Sequence, residues 1–416
     1  MNRLPQAQPA NTQRSWAARL RTPGLIAGGA DNDPAGIATF AWAGSRAGAG
    51  QLWILLLTTP MLVAVQSICG ILGAETGRGL AALIRARFGV WTSGLLSLAF
   101  LAGNLAALVA DTRILSQALS LVTGLAQYYF PALIIFLCWH LLVFHNFRRL
   151  MGVLAILNLM LLFYIPAALL LHPRMLEILK GLFWPPWSLR QAGLTASLTT
   201  AAALLGSRFS PYMFYWQASA ETEAYADVRL RAYTVSDIST GMVASNVIGG
   251  FIMLAGALGR YSHGGQIASV RQAAELLRPV AGGAAYLLFA IGIVGAGLIA
   301  VPVLAATSSY VAAETFAWRK GLEQRPWQAG KFYTMLSGIL LLTGICAYLP
   351  LHTIRLTVWS QIFWGLLAPV LLGLMLFLER RRGDRRVRLS RAQRFWLWTA
   401  VGLSGAVAAA MLASLV

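Results

Sequence analysis

The sequence predicts an all-α polytopic membrane protein of about 11 transmembrane helices, built as a 5+5 inverted repeat with helices 1 and 6 broken and one further helix at the end. Three observations lead there. Of 416 residues, 58% are apolar and only 11% are charged, against roughly 25% charged in soluble globular proteins. The charges stand in short segments between apolar runs of roughly 20 residues, the length a helix needs to cross a hydrocarbon core. Two of those runs, five spans apart, are interrupted in mid-span by polar residues beside a proline.

Taken in order, residues 1–22 carry Arg3, Arg14, Arg19 and Arg21 among Pro and Gln. They lack the apolar stretch and small-residue cleavage site of a signal peptide and read as a cytoplasmic tail. Apolar runs follow near 23–46, 51–72, 91–112, 128–145, 150–171, 192–226, 234–258, 283–312, 332–349, 355–378 and 395–415. Residues 23–190 hold the first five and form one repeat; residues 191–378 hold the next five and form the second. Residues 379–394 are a basic cytoplasmic loop and 395–416 the eleventh helix. With the N-terminus inside, 23 of the 33 Lys and Arg residues face the cytoplasm and 9 the opposite side, while Arg208 lies within a span. That asymmetry follows the positive-inside rule and supports a cytoplasmic N-terminus.

The net charge of +19 is therefore topological, and no basic stripe interleaved with aromatics points to nucleic acid as a partner. The lipid bilayer is the surrounding partner, and a composition rich in Ala, Gly, Leu and Arg fits a bacterial inner membrane. Cys69, Cys138 and Cys346 lie singly in separate apolar stretches, which suits neither a disulfide framework nor a metal cluster. His140, His145, His172, His263 and His352 sit at span ends or in loops without i, i+4 clustering. An enzyme is not expected, since no nucleophile–base pair or phosphate loop is present, and no resident cofactor is implied.

The two interruptions carry the functional signal. In span 1, Asp31, Asn32 and Asp33 precede Pro34, Ala35 and Gly36 before apolar sequence resumes at Ile37. Pro34 removes a backbone donor and disfavours helix at Asp33, and Gly36 permits unusual dihedrals, so the helix unwinds there. In span 6, Gly206, Ser207, Arg208, Phe209 and Ser210 precede Pro211. Ionisable groups near membrane mid-depth are costly unless they face a cavity or one another. Broken helices at corresponding positions of two inverted halves mark the substrate site of a secondary transporter.

The segments GGADNDPAGIATFAWAGSRAG at 28–48 and LLGSRFSPYMFYWQAS at 204–219 resemble helices 1 and 6 of the NRAMP family of divalent-metal transporters, closest to the bacterial NRAMP-related branch. The resemblance covers most of the chain, including a polar connection from Ser269 to Gly283, and implies a LeuT-type fold. Typical members hold manganese or iron with an Asp and an Asn of a DPGN break, a Met of an MPH break and a nearby carbonyl. Carried over by position, the Asp is Asp33, the Asn is Gly36, the Met is Ser210, the following His is Tyr212, and the carbonyl-bearing residue is Ser207. Loss of the thioether removes the main preference for softer metals. The remaining oxygen donors suit a hard cation that keeps several waters, as in NRAMP-related magnesium transporters, which also lack the Met. The transported divalent cation, with Mg2+ or Mn2+ favoured, is the substrate.

The same resemblance places Asn104 and Ala107 where acidic residues of helix 3 are expected, so proton coupling is expected to be weak or absent. Asp111, two turns beyond Asn104, reads as a residue at the outer end of its span. Asp31 and Asn32 are candidates to support the ligands or gate the path, as are Arg208, Tyr212, Gln217 and Asn104. Tyr212, Phe214, Tyr215 and Trp216 read mainly as core. Glu75 and Glu314, at cytoplasmic ends, are expected either to be solvated or to pair with Arg85, Arg87 or Arg319 in an inner gate. Three arrangements are open for Arg208: pairing with Asp31, snorkelling away, or acting as a tethered counter-ion. The last would suit a second reading, a LeuT-type transporter of a carboxylate-bearing organic substrate.

Overall fold

The computed structural model describes residues 20–184, 194–224, 231–263, 270–380 and 389–413, and no strand occurs among them. The helices are α1 (Pro23–Ala30), α2 (Pro34–Ala47), α3 (Leu52–Thr76), α4 (Leu80–Thr123), α5 (Phe130–Phe144), α6 (Phe147–Met160), α7 (Tyr164–Leu169) and α8 (Met175–Phe183). They continue with α9 (Leu194–Arg208), α10 (Pro211–Ala224), α11 (Arg231–His263), α12 (Val270–Phe316), α13 (Gly330–Tyr348), α14 (Thr353–Arg380) and α15 (Arg391–Ala413). Eight helical stretches among the described residues are long and apolar enough to cross a membrane. The expected eleven spans exceed this count for identifiable reasons. Span 1 is split into α1 and α2, and α2 runs through a 3-10 turn at Gly48–Gln51 into α3 as one stretch. Span 6 is split into α9 and α10, each too short alone, and α15, where an eleventh span is expected, is not among the eight.

Three boundaries differ from expectation. Helix α4 starts at Leu80 rather than 91, because the chain bends at Gly89, whose φ of 89° is open to glycine and strained for other residues. The connection expected from Ser269 to Gly283 is helical from Val270 onward. Span 5 is interrupted by a 3-10 turn at Leu161–Phe163, where Pro166 cannot donate to the carbonyl four residues back.

What positions the site is the packing of α11 across α1, α2 and α3, and of α12 along α4. Gly24 and Gly28 of α1 meet Gly241 and Ile238 of α11 so closely that a Cβ on either glycine would strike the α11 backbone. Small residues let membrane helices approach at backbone distance, where dispersion replaces the absent hydrophobic drive. The start of α1 is also pinned by Asp237 of α11, which accepts from the Gly24 N–H at 2.9 Å and from the Thr22 hydroxyl. Outward faces are apolar, as at Leu133, Phe136 and Leu137 of α5.

Candidate functional site

The two helix breaks meet in the interior. Helix α1 closes its last turn with the Asp31 N–H on Ala27 O, and the chain passes through Asn32 to an extended Asp33 at φ −63°, ψ 163°. Asp33 caps α2: its Oδ1 accepts from the Gly36 N–H at 2.5 Å, with Pro34 at the first helical position. A Cβ on Gly36 would stand 2.8 Å from that same oxygen, so the glycine is what lets the carboxylate fold back over the turn. On the other side of the site, α9 ends at Arg208 and α10 begins at Pro211. There the Ser210 hydroxyl donates to Ser207 O at 2.9 Å.

Arg208 takes the first of the three arrangements left open by the sequence. Its Nη1 donates to Asp31 Oδ2 at 2.6 Å, and to Ser245 Oγ and Asn246 Oδ1 at 3.2 Å each. Its Nη2 donates to Asp31 O at 3.1 Å, and the guanidinium lies 4.4 Å from the Phe40 ring centroid. The arginine is fully buried. The Ser245 hydroxyl also donates to Asp31 Oδ2 at 2.7 Å, and Asn32 Nδ2 donates to Ser245 O at 3.1 Å. Asp31 and Asn32 are thereby tied to α11 through a polar pair, Ser245 and Asn246. The sequence reading passed over that pair, although two amide or hydroxyl side chains in an apolar helix are a visible signal.

Asp111 also departs from expectation. It is not at the outer end of its span: α4 continues to Thr123, and Asp111 is fully buried. Its Oδ1 accepts from the Ala35 N–H at 3.1 Å. Asp33 and Asp111 thus hold consecutive amides of one helical turn, at the positive end of the α2 dipole. Asp111 Oδ2, Ser207 Oγ, Asn32 Oδ1 and Asp31 Oδ1 are buried oxygens without hydrogen-bond partners.

The remaining candidates separate. The Tyr212 hydroxyl donates to Ala30 O at 2.6 Å, tying α10 to the end of α1. Gln217 lies further along α10 and donates to Glu221 Oε1 at 2.7 Å. Asn104 is engaged elsewhere, donating to Leu304 O at 2.9 Å and Ser308 Oγ at 2.7 Å on α12. The predicted cytoplasmic ends also correct an expectation. Glu314 pairs with Lys320 rather than with Arg85, Arg87 or Arg319, and it accepts from Ser219 Oγ at 2.8 Å and the Ala81 N–H at 3.1 Å. Glu223 accepts from the Tyr310 hydroxyl and from the Leu322 N–H at 2.9 Å. Both glutamates join the end of α12 to α10. Among the described residues, no three His, Cys, Asp or Glu side chains converge as a metal cluster.

Comparison with known proteins places this geometry. The family described as natural resistance-associated macrophage protein-like (Nramp) matches residues 24–414. A divalent metal cation transporter, MntH, of Xylella fastidiosa is 26% identical over 94% of this chain and 84% of its own. The MntH of Ralstonia nicotianae is 28% identical over 89% and 84%. A manganese transporter of Eremococcus coleocola superposes with a TM-score of 0.80 at 17% identity, covering 98% of this chain and 89% of that one. The fold of MhsT in complex with L-phenylalanine is also similar, with a TM-score of 0.61 at 16% identity over 97% and 99%.

Proposed function

This chain belongs to the Nramp family, and from that premise we propose that it carries a hard divalent cation, Mg2+ or Mn2+, past the two helix breaks by alternating access. Divalent metal cations are the cargo of its named relatives, and it is a transporter of that class and not an enzyme. The observation that supports the finer reading is the charge balance. Arg208 is committed to Asp31 at 2.6 Å, which leaves Asp33 and Asp111 on consecutive α2 amides. Two uncompensated carboxylates match the charge of one divalent ion.

In this reading Asp33 is the principal ligand, and Asp111 contributes through its partnerless Oδ2. Ser207 offers a buried hydroxyl. Ser210 acts indirectly, because its own hydroxyl is spent on Ser207 O, and Gly36 acts by admitting Asp33 to its N–H. A cation with one or two carboxylates and a few neutral oxygens retains waters, as magnesium does readily. Without a thioether the site has little basis for preferring softer metals. Asn104 and Ala107 do not titrate, and Asp111, the acidic residue of α4, is placed on the cation in this reading, so proton coupling is weak or absent.

The organic-substrate reading loses its anchor. Of the Arg208 nitrogens only Nε lacks a partner, so the guanidinium fork is already occupied by the protein's own carboxylate. The test is uptake of magnesium, manganese and calcium into proteoliposomes of the purified chain, with an internal pH dye and Asp33→Ala as control. Magnesium or manganese flux that is lost in the variant and leaves internal pH unchanged is the expected result. Folded protein that moves no divalent ion overturns the reading.

A further inference from the structure

Two cavities lie on the face that carries the excess of basic residues, away from the helix breaks. The first, of about 570 Å³, is lined by Arg78 and Arg85 beside the start of α4 and by Glu314, Trp318 and Lys320 at the end of α12. The second, of about 430 Å³, shares Trp318 with it and extends along α13 past Lys331, Met335 and Leu342. One is cationic and the other is apolar with a cation at its rim.

The charge in the first cavity is uneven. Glu314 is committed to Lys320, to Ser219 Oγ and to the Ala81 and Ala82 amides. Arg78 and Arg85 have no acidic partner among the described residues. The basin therefore holds a cationic surplus facing open space. Depth can be read from the neighbouring chain. Arg85 and Arg87 precede the Gly89 bend, and immediately after it Val90 is 45% and Trp91 89% exposed. Tryptophan at the edge of an apolar, outward-facing surface marks the membrane–water interface, so the basin opens at headgroup level. Trp318 stands between the two cavities, stacked on Phe316 with ring centroids 5.3 Å apart and with Lys331 Nζ 5.8 Å from its own.

We propose that the two cavities bind one anionic phospholipid, with its phosphate among Arg78, Arg85 and Lys320 and one acyl chain along the Met335 and Leu342 flank of α13. A phosphodiester satisfies the surplus cations, and the chain covers apolar surface that water would otherwise meet. Because Lys320 also holds Glu314, an occupied site bears directly on the contact between α12, α4 and α10. The site is independent of which cation the protein carries.

The test is native mass spectrometry of the full chain released from nanodiscs of equal phosphatidylglycerol and phosphatidylcholine content. The expected result is retention of one phosphatidylglycerol in preference to phosphatidylcholine. That preference should fall by about fivefold for each arginine removed in Arg78→Gln and Arg85→Gln. Both arginines lie at the surface, and the two-lipid comparison on the parent chain needs no variant. Equal retention of the two lipids by the parent, or an unchanged preference in the double variant, overturns the proposal. Displacement of the lipid by millimolar inorganic phosphate would mark a soluble-anion pocket instead and equally overturn it.

Discussion

In the proposed reading, Asp31, Asp33, Asp111 and Arg208 set the charge that an entering ion meets. Arg208 and Asp31 form a fully buried pair supported by Ser245 and Asn246. Removing one member of such a pair leaves an uncompensated charge at a cost of about 3–5 kcal/mol, whereas replacing both is far milder. Arg208→Met should therefore lower the thermal midpoint in detergent markedly, and Asp31→Asn with Arg208→Met should recover most of the loss in a double-mutant cycle. Additive losses would mean that the pair is not coupled. The sequence marked both residues as costly and mid-membrane but left their pairing open, since side-chain direction follows from backbone placement that only the fold provides. Asp111 was read as the end of a span because Asp111, Thr112 and Arg113 interrupt the apolar run. The helix continues to Thr123, with Asp111 accepting from α2 and Arg113 from α4 donating to Ala347 O at 3.0 Å.

The helix breaks were legible where a proline follows a short polar stretch in mid-span. Pro34 and Pro211 mark the starts of α2 and α10, as their missing N–H and fixed φ predict. The bend at Gly89 and the early start of α12 were not legible, because charged residues near a span end fit a helix that has left the hydrocarbon as well as they fit a loop. At the same level lies the latch around Glu314, which caps the first turn of α4 and holds Ser219 of α10. A carboxylate on free amides at a helix start contributes about 1–2 kcal/mol. Glu314→Ala should accordingly speed hydrogen exchange at the Ala81 and Ala82 amides by about tenfold. No change there, measured by exchange mass spectrometry, would remove Glu314 from the latch.

For the molecule as a whole, fold class followed from composition and charge placement: a chain 58% apolar with most of its charges between long apolar runs has to satisfy its backbone inside helices. The paired breaks then pointed to the candidate site, where Arg208 and Tyr212 bond Asp31 and Ala30 across them. Its ligand set was less accessible, because Gly36 and Ser210 stand by position where side-chain ligands are expected, yet one works through its N–H and the other through a local hydrogen bond. In the proposed mechanism Asp33 and Asp111, freed of Arg208, together hold the cation at the first turn of α2. The most direct measurement is calorimetric titration of Mg2+ and Mn2+ into the purified chain, Asp33→Asn and Asp111→Asn. The Asp111→Asn change keeps an acceptor for the Ala35 N–H and removes only the charge. One divalent site is expected in the parent chain, its loss in Asp33→Asn, and affinity about tenfold weaker in Asp111→Asn. Parental affinity in both variants would contradict it.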